Sequence, residues 1–274
     1  MNEKKLIDLD AVFKSKNPRL YRWLPRFVMT LLKKIVHQDE TNKFLNDHTN
    51  DDAFEFSAAV VKDAEITFEV FNMDRVPKTG GCILACNHPL GALEGMCLIV
   101  ELQKVRSDLK FIVNDLLLNV HNIKSLLVGV NKHGRSSAES LKMVNELFSS
   151  DQLIVLFPSG MVSRKIAGVI EDLKWKKTFI TRSRLFNIPV IPVYIDAKNS
   201  NFFYNLCNLR MKLGIKANLE MFFLVDEMHK QKGKHIPIVF GDLIQPSMFT
   251  NIKTDEQWAS ELKNEVYKLK EQLK

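Results

Sequence analysis

The chain has 274 residues, 46% hydrophobic and 26% charged, which is enough to bury a full core and far from a disordered composition. No apolar run reaches the roughly 18 residues that cross a bilayer, and the opening MNEKKLIDLDAVFKSK lacks a signal-peptide core, so a cytoplasmic site of action is expected. The formal charge of +7 is concentrated at one end: residues 1–36 carry nine lysines and arginines against three acids, which points to an anionic partner surface.

Within residues 17–36, apolar positions from Leu20 to Ile35 recur at spacings of three and four beside Arg22, Arg26, Lys33 and Lys34. This predicts an amphipathic helix bent at Pro25, which on a membrane would set Trp23 and Tyr21 at the headgroup level. Such a helix suits a membrane surface, and it equally suits packing on its own domain with solvated lysines. A nucleic-acid partner is not expected, because stacking aromatics and a recognisable binding module are missing. Residues 50–63 read as a short helix capped by Asn50 to Asp52.

The pattern then changes. EITFEVF, GCILAC, LKFIV, LLVGV, LIVLF, VIPVYI and PIVFG read as strands, with helices predicted over 90–104, 136–149 and 166–187 and from about Asp255. Alternation of this kind predicts an α/β fold with a mainly parallel sheet covered on both faces. The expected organisation is a helical, membrane-associating N-terminal segment (1–63), an α/β domain (64–250) and a C-terminal helix (251–274). Cys82, Cys86, Cys97 and Cys207 form no CxxC pair and no zinc spacing, so they read as buried thiols, and no metal is expected.

In an open α/β sheet, sites gather beyond the carboxyl ends of the strands. Three junctions here place polar residues at such ends: Asn87-His88 after CILAC, NKHGRSS after LLVGV, and PSGMVSRK after LIVLF. In CILACNHPLGALEGM, the plain reading is a strand-to-helix turn with Pro89 near the first helical position and Asn87 or His88 as cap. The sharper reading is a histidine, His88, oriented by the carboxylate of Glu94. Three junctions of similar design favour a shared pocket. The basic cluster Lys174, Lys176, Lys177, Arg182 and Arg184 around Trp175 reads first as a solvated helix face, then as a docking patch for an acidic carrier protein, then as part of a membrane-facing border.

Asn-His-Pro after a buried strand, a basic second block, FP-x-G and IPV, in that order over residues 76–200, resemble the glycerophosphate and lysophosphatidic acid acyltransferase family. The form NHPLGALEG, with IVHQDE near the N-terminus, is more similar to the bacterial hemolysin-like branch of glycine-lipid and ornithine-lipid acyltransferases. Two departures stand out. Where the family has histidine, four residues and aspartate, this chain has five residues between His88 and Glu94. Where block three is usually Phe-Pro-Glu-Gly-Thr-Arg, this chain has Phe157-Pro158-Ser159-Gly160-Met161-Val162-Ser163-Arg164.

The resemblance implies transfer of a fatty acyl chain from a thioester of acyl carrier protein or coenzyme A to the hydroxyl of a lyso-lipid, with no cofactor and no covalent enzyme intermediate. His88 is then the general base and Glu94 its orienting acid. Asn87, Lys132, Arg135, Ser159, Gly160, Ser163, Arg164 and Lys165 become candidates for substrate binding. The helix start after His88 and the Gly160 backbone are candidates for the oxyanion. The altered third block suggests a carboxylate headgroup, as in an N-acyl amino acid, in place of a phosphate; lysophosphatidic acid is the other acceptor. The expected location is the inner face of the cytoplasmic membrane. A non-catalytic lipid-binding protein that retains the fold is the alternative.

Overall fold

The computed structural model describes residues 6–130 and 137–273. In chain order the helices and strands are α1 (Leu9–Lys16), α2 (Pro18–Trp23), α3 (Arg26–Ile35), α4 (Gln38–Asp47), α5 (Ala53–Asp63), β1 (Thr67–Phe71), β2 (Cys82–Cys86), α6 (Leu93–Leu102), β3 (Leu109–Val113), β4 (Leu127–Gly129), α7 (Ser137–Phe148), β5 (Leu153–Leu156), β6 (Arg164–Ile166), β7 (Val169–Glu171), α8 (Thr178–Phe186), β8 (Val190–Ile195), α9 (Asn201–Lys212), α10 (Leu224–His229), β9 (His235–Phe240) and α11 (Asp255–Lys268). They form two compact units: residues 1–51 with 199–232, and residues 52–198 with 233–274. Helix α5, grouped with the N-terminal segment on sequence grounds, thus belongs to the sheet-bearing unit.

In that larger unit, seven strands form one sheet in the order β1-β9-β8-β2-β5-β3-β4. The run from β8 to β4 is parallel, whereas β9 lies antiparallel to β8 and carries β1 parallel to itself. The central strand β2 is completely buried, which is why CILAC has no polar position: a parallel strand covered on both faces needs none. Ile83 and Ala85 face a core built with Val144, Leu147 and Phe148 of α7, Phe179 and Ile180 of α8, and Ala259, Leu262 and Val266 of α11. Cys82, Leu84 and Cys86 point to the other face by alternation. Helices α5 and α6 pack together, joined by a Ser57 Oγ contact to Met96 Sδ at 3.4 Å. Helix α5 opens with a reciprocal capping box: Asp52 accepts from the Phe54 and Glu55 amides, and Glu55 accepts from the Asp52 amide. All four cysteines are buried thiols.

The expected helix over 166–187 is corrected. Its first part is the β6-β7 hairpin, turned at Ala167 and Gly168 with φ of 49° and 86°, and the helix begins only at Thr178. Two successive left-handed residues cannot sit in a helix, so the turn at 167–168 excludes one there.

In the smaller unit, the predicted bent helix is two helices, α2 and α3, parted at Pro25 (φ −60°, ψ 144°). Trp23 and Phe27 are 87% and 72% exposed. Asn42 fastens the N-terminal segment by accepting from the Ile7 amide and donating to its carbonyl, both at 2.7 Å. Helix α9 is capped by Ser200, whose hydroxyl accepts from the Phe203 amide.

Candidate active site

Strands β2 and β5 are parallel neighbours with Ala85 opposite Leu156, so the residues that follow them emerge at the same edge of the sheet. This brings the His88 ring onto Phe157, with centroids 4.3 Å apart and planes 24° from parallel. His88 Nδ1 lies 2.8 Å from Glu94 Oε1. The extra residue between them is absorbed by the backbone. Helix α6 begins at Leu93, later than expected, and residues 89–92 form a loop closed around the carboxylate. The Leu90 and Gly91 amides donate to the same Oε1 at 3.0 and 2.9 Å. Gly91 has φ 111°, a conformation that essentially only glycine holds without strain.

Glu94 is fully buried in the first turn of α6, where the helix dipole favours a negative charge. Burial pushes its carboxyl up, but the His88 imidazole and the Gly91 amide outweigh that and hold it below the usual glutamate value. An ionised Glu94 keeps a proton on Nδ1 of a neutral imidazole and leaves the Nε2 lone pair open. Nε2 has no hydrogen-bond partner among the described residues, and the side chain is 14% exposed. The arrangement is able to accept a proton at that atom.

The backbone of His88 is held from the opposite side. Its amide donates to Asp172 Oδ1 at 3.1 Å, and its carbonyl accepts from the amide and the hydroxyl of Ser163 at 2.8 and 3.1 Å. Ser163 Oγ shares its one proton between this carbonyl and Asp172 Oδ1, the nearer acceptor at 2.6 Å, Trp175 Nε1 donates to Asp172 Oδ2 at 2.9 Å, and the Asp172 amide donates to the Tyr267 hydroxyl. Burial raises the Asp172 carboxyl above the ordinary aspartate value despite these donors. Asp172, Trp175 and Tyr267 were missed as parts of the site: Asp172 lies 84 residues from His88 and no motif marks it.

Other residues expected to touch substrate serve the framework. Asn87 is buried, donating to the Ile195 carbonyl at 2.9 Å and accepting from its amide at 2.7 Å, so it extends the β2-β8 pairing. Ser163 is committed to His88 and Asp172. Ser159 Oγ donates to the Met161 carbonyl at 2.7 Å. The Gly160 amide donates to the Phe157 carbonyl at 2.9 Å, closing a turn at φ 62°, and the Leu90 and Gly91 amides serve Glu94. None of these three amides is therefore free for an oxyanion. Arg164 is buried, with Nη1 donating to the carbonyls of Val162 and Ser163, and Lys165 sits half-buried beside it on β6 opposite Ile170. Lys132 and Arg135 lie outside the described residues.

Among the described residues one group of potential metal donors comes together, His37, Glu40 and His229 in the smaller unit, within 4.8 Å of one another. Both ring nitrogens of His37 already face carboxylates, Glu40 at 2.9 Å and Asp226 at 3.2 Å. Burial lowers the pKa of this imidazole, but the two acids together hold it above the usual histidine value, so the group is satisfied as an ion-pair network. No helix among the described residues is long and apolar enough to cross a membrane.

Known proteins resemble this chain over nearly its whole length. Two curated relatives, both named lyso-glycine lipid O-acyltransferase, are 41% identical over 265 residues (Phocaeicola vulgatus) and 42% identical over 265 residues (Bacteroides thetaiotaomicron). They cover 96% of this chain and 95% and 97% of their own lengths. The crystal structure of a 1-acyl-sn-glycerophosphate acyltransferase from Thermotoga maritima aligns over 89% of this chain and 97% of its own, at 17% identity and a TM-score of 0.49. The sequence model of the acyltransferase family matches residues 11–274, and with relatives this similar the chain belongs to that family.

Proposed function

We propose that the protein is a lyso-lipid O-acyltransferase in which His88 is the general base and Glu94 fixes its tautomer. The observation that carries this is the buried Glu94 Oε1 contact to His88 Nδ1 at 2.8 Å, with Nε2 left without a protein partner among the described residues. In the step, the acceptor hydroxyl loses its proton to Nε2 and its oxygen bonds to the thioester carbonyl carbon. The C–S bond then breaks, and the thiolate takes the proton from the imidazolium. The donor is an acyl thioester of acyl carrier protein or coenzyme A, and no cofactor or metal takes part.

The acceptor is a lyso-lipid with a carboxylate headgroup on an N-acylated glycine. Two things support this: the activity for which both relatives are named, and the loss of the usual glutamate and Thr-Arg from the third block. The reaction takes place at the inner face of the cytoplasmic membrane, where the exposed Trp23, Phe27 and Leu31 of α2 and α3, bordered by basic residues, meet lipid.

The test is acyl transfer from a long-chain thioester by wild type and His88→Ala, with lyso-glycine lipid and lysophosphatidic acid as parallel acceptors. Turnover on the glycine lipid that vanishes in the variant is the expected result. A clear preference for lysophosphatidic acid would remove the carboxylate reading. Undiminished turnover by His88→Ala would remove the base.

A further inference from the structure

The smaller unit exposes a second apolar surface, separate in sequence from the N-terminal helices. From the last two residues of α9 onward, the nine residues 211–219 are all exposed, and Met211, Leu213, Ile215, Leu219, Met221 and Phe222 present large side chains to solvent, Leu213 at 65%. Exposed apolar side chains at this density mark an interaction surface.

This loop is ordered by its own chemistry. Helix α9 ends in a Schellman motif: the Gly214 amide donates to the Met211 carbonyl and the Ile215 amide to the Arg210 carbonyl, with Gly214 at φ 69°. At its base Arg210 Nε and Glu220 Oε2 are 2.8 Å apart and buried, and Arg210 Nη1 donates to the Ile215 carbonyl at 2.8 Å. The ion pair joins the two ends of the segment, and the bond to the Ile215 carbonyl holds its middle. The apolar tip is therefore displayed in a fixed shape, and ordering it on contact costs little chain entropy.

Charge decides what it meets. Lys212 and Lys216 stand among the apolar residues, and no acid lies between 211 and 219; the next one, Glu220, is withdrawn into the pair with Arg210. Bulky aliphatics interleaved with lysines match an anionic bilayer, with the apolar groups at the acyl boundary and the ammonium groups among headgroup phosphates.

We propose that residues 211–222 form a lipid-inserting loop, pinned by Arg210 and Glu220, that docks the protein on an anionic membrane independently of the N-terminal helices. The choice of a bilayer as occupant rests on the lyso-lipid reading above; the binding itself is measured without turnover, so the two stand or fall separately. The experiment is vesicle flotation with the full chain, using phosphatidylcholine alone and phosphatidylcholine with about one third phosphatidylglycerol. Wild type should bind the anionic vesicles, and Leu213→Asp/Ile215→Asp should bind them about tenfold more weakly or less. Wild-type binding that survives in this variant, or wild type that binds neither vesicle, overturns the proposal. A second measurement does not depend on the double variant folding. The native cysteines are buried, so Leu213→Cys takes a polarity-sensitive dye selectively. A blue shift on anionic vesicles with quenching by brominated lipid supports insertion; an unchanged spectrum overturns it.

Discussion

Replacing Glu94 by glutamine tests the centre of the proposed chemistry, because it keeps size and shape while removing the charge. In the step above, His88 becomes an imidazolium as the acceptor loses its proton, and Glu94 is the buried anion that faces it at 2.8 Å. With charge centres about 4 Å apart and an effective dielectric near 20, that attraction is worth about 4 kcal/mol in the transition state. At about 1.4 kcal/mol per decade, kcat should fall about a thousandfold. Glutamine can still accept from the His88 ring and the Leu90 and Gly91 amides, but its NH2 then occupies the place of Oε2, a buried atom with no hydrogen-bond partner. The expected cost in stability is about 1–3 kcal/mol. The assay is thiol release from a saturating acyl thioester with lyso-glycine lipid, run beside urea unfolding. A Glu94→Gln variant that is folded and within tenfold of the wild-type kcat would refute the electrostatic role of Glu94.

Further outcomes follow from the same contacts. Because the Glu94 carboxyl lies below its ordinary 4.5 in the folded chain, its contribution to stability is complete above that pH and is lost as pH falls through the folded value; acid unfolding curves of Glu94→Gln should be flatter in that window. Gly91→Ala forces a side chain into φ 111° and loosens the loop around the carboxylate; about 1–3 kcal/mol of stability and a large share of kcat should be lost together, seen by thermal melting and thiol release. Asp172→Asn turns an amide NH2 toward the Trp175 indole or the Ser163 hydroxyl and should cost about 1–3 kcal/mol, with displaced Trp fluorescence and reduced kcat. Arg210→Met removes the guanidinium that faces buried Glu220 and should destabilise the smaller unit by about 3–5 kcal/mol, read by hydrogen exchange across α9.

Much of the larger unit was legible because its elements are locally encoded. Buried parallel strands are short apolar runs whatever surrounds them, and Asp52 and Thr254 announce their helices by capping chemistry. The His88 and Glu94 pair was legible for the same reason, since both belong to one fifteen-residue stretch. The β6-β7 hairpin was not: its three-residue strands are too short for a period of two, and KIAGVIEDL also satisfies a helical spacing. The bonds made by Asn87, Ser163 and Gly160 were hidden for a different reason. Their residue types suit a substrate, but their donors and acceptors are consumed by the Ile195, His88 and Phe157 backbones, partners that only the sheet order brings near. Nothing local in EDLKW signals that Asp172 reaches the amide of a histidine 84 residues earlier.

The burial of the thiols has a chemical consequence for an enzyme of this family. An activated acyl thioester exchanges readily with any accessible thiolate, and an S-acylated cysteine beside the base would halt turnover. Cys86 stands two residues before His88, yet burial, with Glu94 and Asp172 nearby, drives its thiol well above the ordinary cysteine value, and Cys82 and Cys97 are pushed to about 12. These sulfurs stay protonated and out of reach, so in the proposed chemistry they do not compete with an acceptor hydroxyl for the acyl group. Electrophilic labelling of Cys86 therefore requires the centre of the sheet to open, and its rate is a native clock for unfolding.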